Sequence, residues 1–191
     1  GEKDQALSHF RKVIDAGNVK FLDNALLYAA QTEYANGNYR QALADYTRLA
    51  TVARSAANKQ TAQMGMLRCQ SRISGYHEAA STATDLLEGS SLSPEMETDT
   101  RSIQGAEAQF ILADTYYRWE SYDRAEAQVK EFMQKGTPHQ YWMARALILL
   151  SDTYRAKGDN FQARQYLESL NSNYKGNEED IRQMIHERLN Q

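Results

Sequence analysis

An all-helical chain of tandem antiparallel helix pairs is what the sequence predicts, and three observations carry that prediction. Five short segments recur, Gln5-Ala6-Leu7, Gln41-Ala42-Leu43, Glu78-Ala79-Ala80, Arg124-Ala125-Glu126 and Gln162-Ala163-Arg164. Their central alanines stand at 6, 42, 79, 125 and 163, so the intervals are 36, 37, 46 and 38 residues. Each alanine lies in an apolar stripe at steps of three and four, as in Tyr39, Leu43, Tyr46 and Ala50, which is the period of one helix face. No segment alternates apolar and polar residues over a useful length, so strands are disfavoured.

In chain order, residues 1–16 read as half a repeat, a second helix whose own first helix is missing. Its stripe of Leu7, Phe10, Val13 and Ile14 should therefore expose apolar surface. The chain lacks an initiator methionine and reads as a fragment or mature form, the C-terminal part of a longer array. Full repeats are expected at 23–54, 58–88, 94–136 and 138–174. First-helix stripes include Leu26, Leu27, Ala30 and Tyr34, then Phe110, Ala113 and Tyr117, then Leu147, Leu150 and Tyr154. Gly37-Asn38, Ser74-Gly75, Glu120-Ser121 and Gly158-Asp159 separate the two stripes of each repeat. Asn38 with Gln41, and Asp159 with Gln162, have the spacing of helix-capping partners. Thr137-Pro138-His139-Gln140 reads as a cap followed by proline at the first helical position. The long interval contains Ser93-Pro94-Glu95, which predicts an elongated first helix from near Pro94 to near Trp119, with an exposed loop over Ser90–Gln104 as the alternative. Asn177-Glu178-Glu179-Asp180 starts a last helix, residues 177–190. Its inner face carries Ile181, Met184, Ile185 and Leu189, and its outer face Arg182, Gln183, Glu187, Arg188 and Asn190.

Composition narrows the function. Hydrophobic residues are 41% of 191, enough for a core. A net charge of −3 gives no basic footprint for nucleic acid, and no apolar run approaches the ~18 residues of a membrane span, so neither nucleic acid nor membrane insertion is expected. His9, His77, His139 and His186 are scattered, without the spacing of a helical metal pair. The one cysteine, Cys69, reads as a packed thiol rather than a nucleophile. Glycines mark turns and form no phosphate-binding loop. No catalytic residue, metal site or cofactor is expected. The twelve tyrosines fall mostly at packing positions rather than forming a base-stacking set.

A repeated helix pair of this length resembles the tetratricopeptide repeat. In the first repeat the matching residues are Leu26, Ala29, Ala30, Tyr34, Gly37, Tyr39, Ala42, Tyr46 and Leu49. In the third they are Leu112, Ala113, Tyr116, Tyr122, Ala125 and Phe132. In the fourth they are Leu147, Leu150, Ser151, Tyr154, Gly158, Ala163, Leu167 and Leu170. The second matches more weakly, with Met66, Leu67, Tyr76, Ala79 and Leu86, and has Leu67 where the family favours a small residue. The intervals also exceed the ~34 residues of the family. The resemblance covers nearly the whole chain. It implies a right-handed superhelix of about four and a half repeats plus the capping helix, in which small residues let the helices of a pair approach and larger ones fill the space between repeats.

The resemblance also implies a concave groove lined by the first helices. Carried over repeat by repeat, the partner-binding candidates are Asn24, Leu27, Gln31 and Tyr34; Met64, Arg68, Ser71 and Arg72; Glu107, Phe110, Asp114, Tyr117 and Arg118; and Arg145, Ile148, Asp152 and Arg155. Leu27, Met64, Phe110 and Ile148 would form an apolar floor, or else belong to the core between repeats. The arginines would meet ligand carboxylates or aromatic rings. Leu27 and Gln31 stand where the chaperone-tail clamp of some family members needs Lys and Asn, which argues against chaperone tails as ligand. The function expected is a non-catalytic scaffold binding a peptide or protein segment in the groove. The alternative is an assembly module docking other subunits by its edges or convex face, including self-association through the N-terminal edge. A likeness to envelope-associated bacterial repeat proteins points toward the bacterial envelope or periplasm, while composition alone leaves the compartment open.

Overall fold

The structure, a computed structural model, describes residues 2–17, 20–88 and 99–190. These residues form ten helices and no strand: α1 (Glu2–Asp15), α2 (Leu22–Ala35), α3 (Tyr39–Val52), α4 (Ala56–Arg72), α5 (Tyr76–Glu88), α6 (Ile103–Arg118), α7 (Tyr122–Lys135), α8 (Gln140–Ala156), α9 (Asn160–Asn173) and α10 (Glu179–Leu189). The chain divides into two compact parts, up to Thr82 and from Ala83 onward. In the first, α2 packs on α3, and α4 touches both of them. In the second, α6 packs on α7 and α8 on α9, while α8 also touches α6, α7 and α10. Within each part the first helices lie side by side, α2 beside α4 and α6 beside α8, and α10 takes that place after α8.

Tight turns make the pairs. The second residue after each first helix has a left-handed backbone: Gly37 (φ 80°), Ser74 (60°), Glu120 (56°) and Gly158 (86°). The following amide reaches back five residues, Asn38 N–H to the Glu33 carbonyl at 2.9 Å, Gly75 to Gln70 at 2.9 Å, Ser121 to Tyr116 at 2.9 Å and Asp159 to Tyr154 at 2.9 Å. This is the Schellman closure, which satisfies helix-end carbonyls and wants glycine at the left-handed position. Two of the four turns hold a residue with a Cβ there. Glu120→Gly should therefore stabilise the chain by about 0.5–1 kcal/mol, the left-handed strain relieved less the entropy that glycine loses. A lowered midpoint of urea unfolding would contradict that reading.

The small residues sit where helices nearly touch. Ala30, Ala42, Ala79, Ala113, Ala125, Ser151 and Ala163 are at most 1% exposed. The Ser151 hydroxyl donates to the Ala163 carbonyl at 2.8 Å, bonding α8 directly to the backbone of α9. Leu26, Leu49 and Tyr46 fill the core of the first part, and Leu167, Ile181 and Ile185 that of the C-terminal end. Ile14 of the leading helix is buried in the first core, and Leu7, Phe10 and Val13 are half-buried against it.

Glu126 on α7 ties two helices of the second part together. It accepts from Lys130 on its own helix, and from Tyr154 (2.8 Å) and Lys157 (2.7 Å) at the end of α8 and just beyond. Lys130 first, then Lys157, pull its pKa down to about 2 from 4.5. The folded state therefore holds the proton less tightly than the unfolded chain does. The stability this group supplies is complete above pH 4.5 and is lost as pH falls toward 2. Glu126→Gln should flatten that segment of the acid-unfolding curve; an unchanged slope would show the contact to be idle.

Several sequence expectations are corrected here. The first helix of the third repeat begins at Ile103 rather than near Pro94. Ser102 caps it, its hydroxyl accepting from Gly105 N–H at 3.0 Å, and Asp99–Ser102 are not helical. Ser93 and Pro94 fall outside the described residues. Asn38 precedes α3 but makes no side-chain cap, because its amide donates to the buried Glu33 carboxylate at 2.8 Å instead. Asp159 does cap, accepting from Gln162 N–H at 2.9 Å. Thr137 bonds His139 N–H at 3.1 Å, and α8 starts only at Gln140. Arg188, expected on the outer face of α10, turns inward.

Candidate functional site

The first helices of each part carry the expected residues on neighbouring faces. On α2, Asn24 and Gln31 are exposed, while Leu27 and Tyr34 are half-buried. On α4, Arg68 and Ser71 are half-buried, and the exposed Arg72 lies 5.9 Å from the Tyr39 ring centre. On α6, Asp114 and Tyr117 are half-buried and Arg118 is exposed, its guanidinium on Asp114 at 2.8 Å. On α8, Arg145, Asp152 and Arg155 are half-buried. Met64, Phe110, Ile148 and Glu107 are buried, at 2, 7, 3 and 9% exposure. Three of the four apolar floor candidates therefore pack inside, and polar and aromatic side chains dominate what remains accessible.

In the second part these groups collect at the two ends of α8. At the N-terminal end, Trp142 packs against Phe110 (5.5 Å between ring centres) and edge-on to Tyr141 (5.1 Å). The Arg145 guanidinium lies 4.9 Å from the Phe110 ring centre and 5.8 Å from that of Tyr141, and donates to the Tyr141 hydroxyl at 2.9 Å. Tyr141 in turn donates to Asp180 at the start of α10, at 3.0 Å.

At the C-terminal end, Tyr117, Asp152, Arg155, Ala156, Glu187 and Arg188 line a polar hollow. Arg188 grips Asp152 through Nε at 2.7 Å and a terminal nitrogen at 2.8 Å, a two-pronged pair that raises the arginine's affinity for its proton. Arg155 donates to the Arg188 carbonyl at 3.0 Å, placing positive charge at the last turn of α10. Burial, then the Asp152 charge, raises the Tyr117 hydroxyl above its ordinary range. With Tyr141 on Asp180 and Asp152 on Arg188, α8 and α10 run parallel, and α10 continues the row of first helices.

Sequence reasoning missed Trp142 and Arg188. Both signals were present: Trp142 is three residues from Arg145, and Arg188 is three from Ile185 and seven from Ile181, so each shares its neighbour's helix face. Elsewhere, burial pushes the Cys69 thiol up to about 11, unsuited to nucleophilic work. Among the described residues no three metal-ligating side chains converge, and no helix is long and apolar enough to cross a membrane.

Helix pairs closed by Schellman turns, with α2 beside α4 and α6 beside α8, define an all-α protein of tandem helix hairpins. Residues 140–177, which contain α8 and α9, match the family model described as tetratricopeptide repeat, and the chain has the tetratricopeptide-repeat fold. The solved structures it is similar to include the MamA protein, at 17% identity over 92% of this chain and 88% of that one, TM-score 0.66. A tetratricopeptide repeat protein from Parabacteroides merdae is 18% identical, with 99% of this chain covered and 65% of that one, TM-score 0.61. BtubC (BKLC) from P. vanneervenii is 17% identical over 98% of this chain and 79% of that one, TM-score 0.68. No curated protein matches at the level of sequence.

Proposed function

We propose that the chain is a non-catalytic interaction module that binds a peptide or protein segment along its first-helix faces. Tetratricopeptide repeats generally serve as protein-interaction scaffolds, which sets the class. The observation carrying the finer reading is the row of accessible arginine and aromatic side chains along α8, flanked by α6 on one side and α10 on the other. Arginine and large aromatics are the residue types that dominate binding energy at protein interfaces. The accessible candidates are Tyr117, Arg118, Arg145, Asp152 and Arg155, joined by Trp142 and Arg188, and in the first part Asn24, Leu27, Gln31, Tyr34, Arg68, Ser71 and Arg72.

A second reading, docking of another subunit elsewhere on the surface, has its own observation. An apolar cleft of about 450 Å³ lies between the end of α7, α8 and α9, lined by Met133, Met143, Leu147, Tyr166, Leu170 and Tyr174. The two readings separate in a pull-down with the Tyr117→Ala, Arg118→Glu double variant. First-helix binding predicts loss of the recovered partner with helix content intact by circular dichroism. Unchanged recovery would favour the cleft.

A further inference from the structure

Deepening the reading just given, on which it rests, we infer that the partner segment is acidic and that one of its carboxylates seats on Arg145 above the Phe110–Tyr141–Trp142 shelf. Several guanidinium groups of this chain are held by carboxylates. Arg11 is held by Glu33 and Asp45, Arg118 by Asp114, and Arg188 by Asp152. Arg145 is half-buried like Arg11 and Arg188, yet among the described residues no carboxylate lies within ion-pair distance of it. Among the described residues its hydrogen-bond partner is the Tyr141 hydroxyl, and it also lies against the faces of Phe110 and Tyr141.

A guanidinium presents five N–H donors in a planar fork, so four remain to be satisfied. Ring faces attract the cation without filling those donors, and they fix its plane. Tyr141 is itself anchored on Asp180, so the fork is positioned from α10 as well as from α8. A fixed, partly desolvated fork is complementary to a planar carboxylate that accepts two parallel bonds. Trp142, packed against Phe110 and Tyr141, adds ring surface beside it for an apolar neighbour of the acidic residue. Net charge opposes a general attraction for acids, since the chain carries −3, so this site selects by geometry rather than by long-range field.

The test is selection of short random peptides displayed on phage against the immobilised full chain, followed by binding of the enriched peptides in solution. Enriched sequences should carry Asp or Glu beside an apolar or aromatic residue. Their affinity should fall roughly tenfold or more in Arg145→Gln and recover in part in Arg145→Lys. Circular dichroism checks that each variant is folded, and the charge-retaining lysine variant separates lost charge from lost structure. Peptides without an acidic residue that bind Arg145→Gln as tightly as the parent chain would overturn the inference. If those peptides still lose binding in the Tyr117→Ala, Arg118→Glu variant, the first-helix reading stands without it. Peptides indifferent to both variants, or no enrichment at all, overturn both.

Discussion

Replacing Arg11 with methionine should cost about 2–3 kcal/mol, somewhat below the ~3–5 kcal/mol of breaking a fully buried ion pair, because the arginine itself is about a quarter exposed. Its guanidinium, on α1, donates to both Asp45 oxygens at 2.7 Å and to Glu33 at 2.8 Å. Asp45 and Glu33 lie on α3 and α2 and are only 5 and 7% exposed, and Glu33 also takes the Asn38 amide. Without Arg11, two carboxylates face each other in a region with little water, and the desolvation cost is no longer offset. Methionine retains most of the packing of the stem, so the loss reports charge rather than volume. Adding Glu33→Gln and Asp45→Asn should recover most of the stability, since neutral amides carry no such penalty. Urea unfolding of the single and triple variants measures this. A single variant within 0.5 kcal/mol of the parent, roughly the spread of ordinary surface changes, would show the cluster to be unimportant.

Gly65→Ala should destabilise by about 1–2 kcal/mol, although alanine is the better helix former by about 1 kcal/mol. Gly65 is in the middle of α4, and a Cβ there would stand 2.5 Å from three atoms of the Tyr46 ring on α3. Tyr46 is 5% exposed and packed in the core of the first part. Either the ring or the α3–α4 spacing must give. Shrinking the ring should remove the conflict, so Tyr46→Leu should make the glycine substitution neutral or favourable. The double-mutant cycle therefore carries a sign reversal. If Gly65→Ala stabilises the parent chain, helix propensity outweighs the contact and the close approach is misjudged.

The fold was legible because it rests on local, repeated features. Small residues at near-constant intervals mark close crossings: Ala42, Ala79, Ala125 and Ala163 are fully buried, while Ala6 in the leading helix is half-buried. Turn residues were equally readable, even where Ser74 and Glu120 replace glycine. What escaped was non-local. Asn38 has the spacing of a cap, but the competing partner is Glu33, which the chain brings back through the turn. Ser93-Pro94 has the pattern of a helix start, and so does Ser102, which caps α6; local pattern does not rank the two. Glycines read as turn markers in the sequence, but Gly65 lies inside α4, where the Tyr46 ring of α3 stands against it. At the candidate site, periodicity put Arg145, Asp152 and Arg155 on one helix, yet could not distinguish a buried Ile148 from an accessible floor. Nor could it show that α10 turns Arg188 toward α8, since a polar residue beside an apolar stripe fits either face.

The first-helix face of the second part is where a partner is expected to lie. A photo-crosslinking aromatic residue placed at Trp142, and separately at the exposed Met133 beside the apolar cleft, reads this directly, because each keeps a large side chain where one already stands. Covalent adducts with the recovered partner from position 142, abolished by the Tyr117→Ala, Arg118→Glu variant, are the predicted result. Adducts from position 133 alone would contradict it.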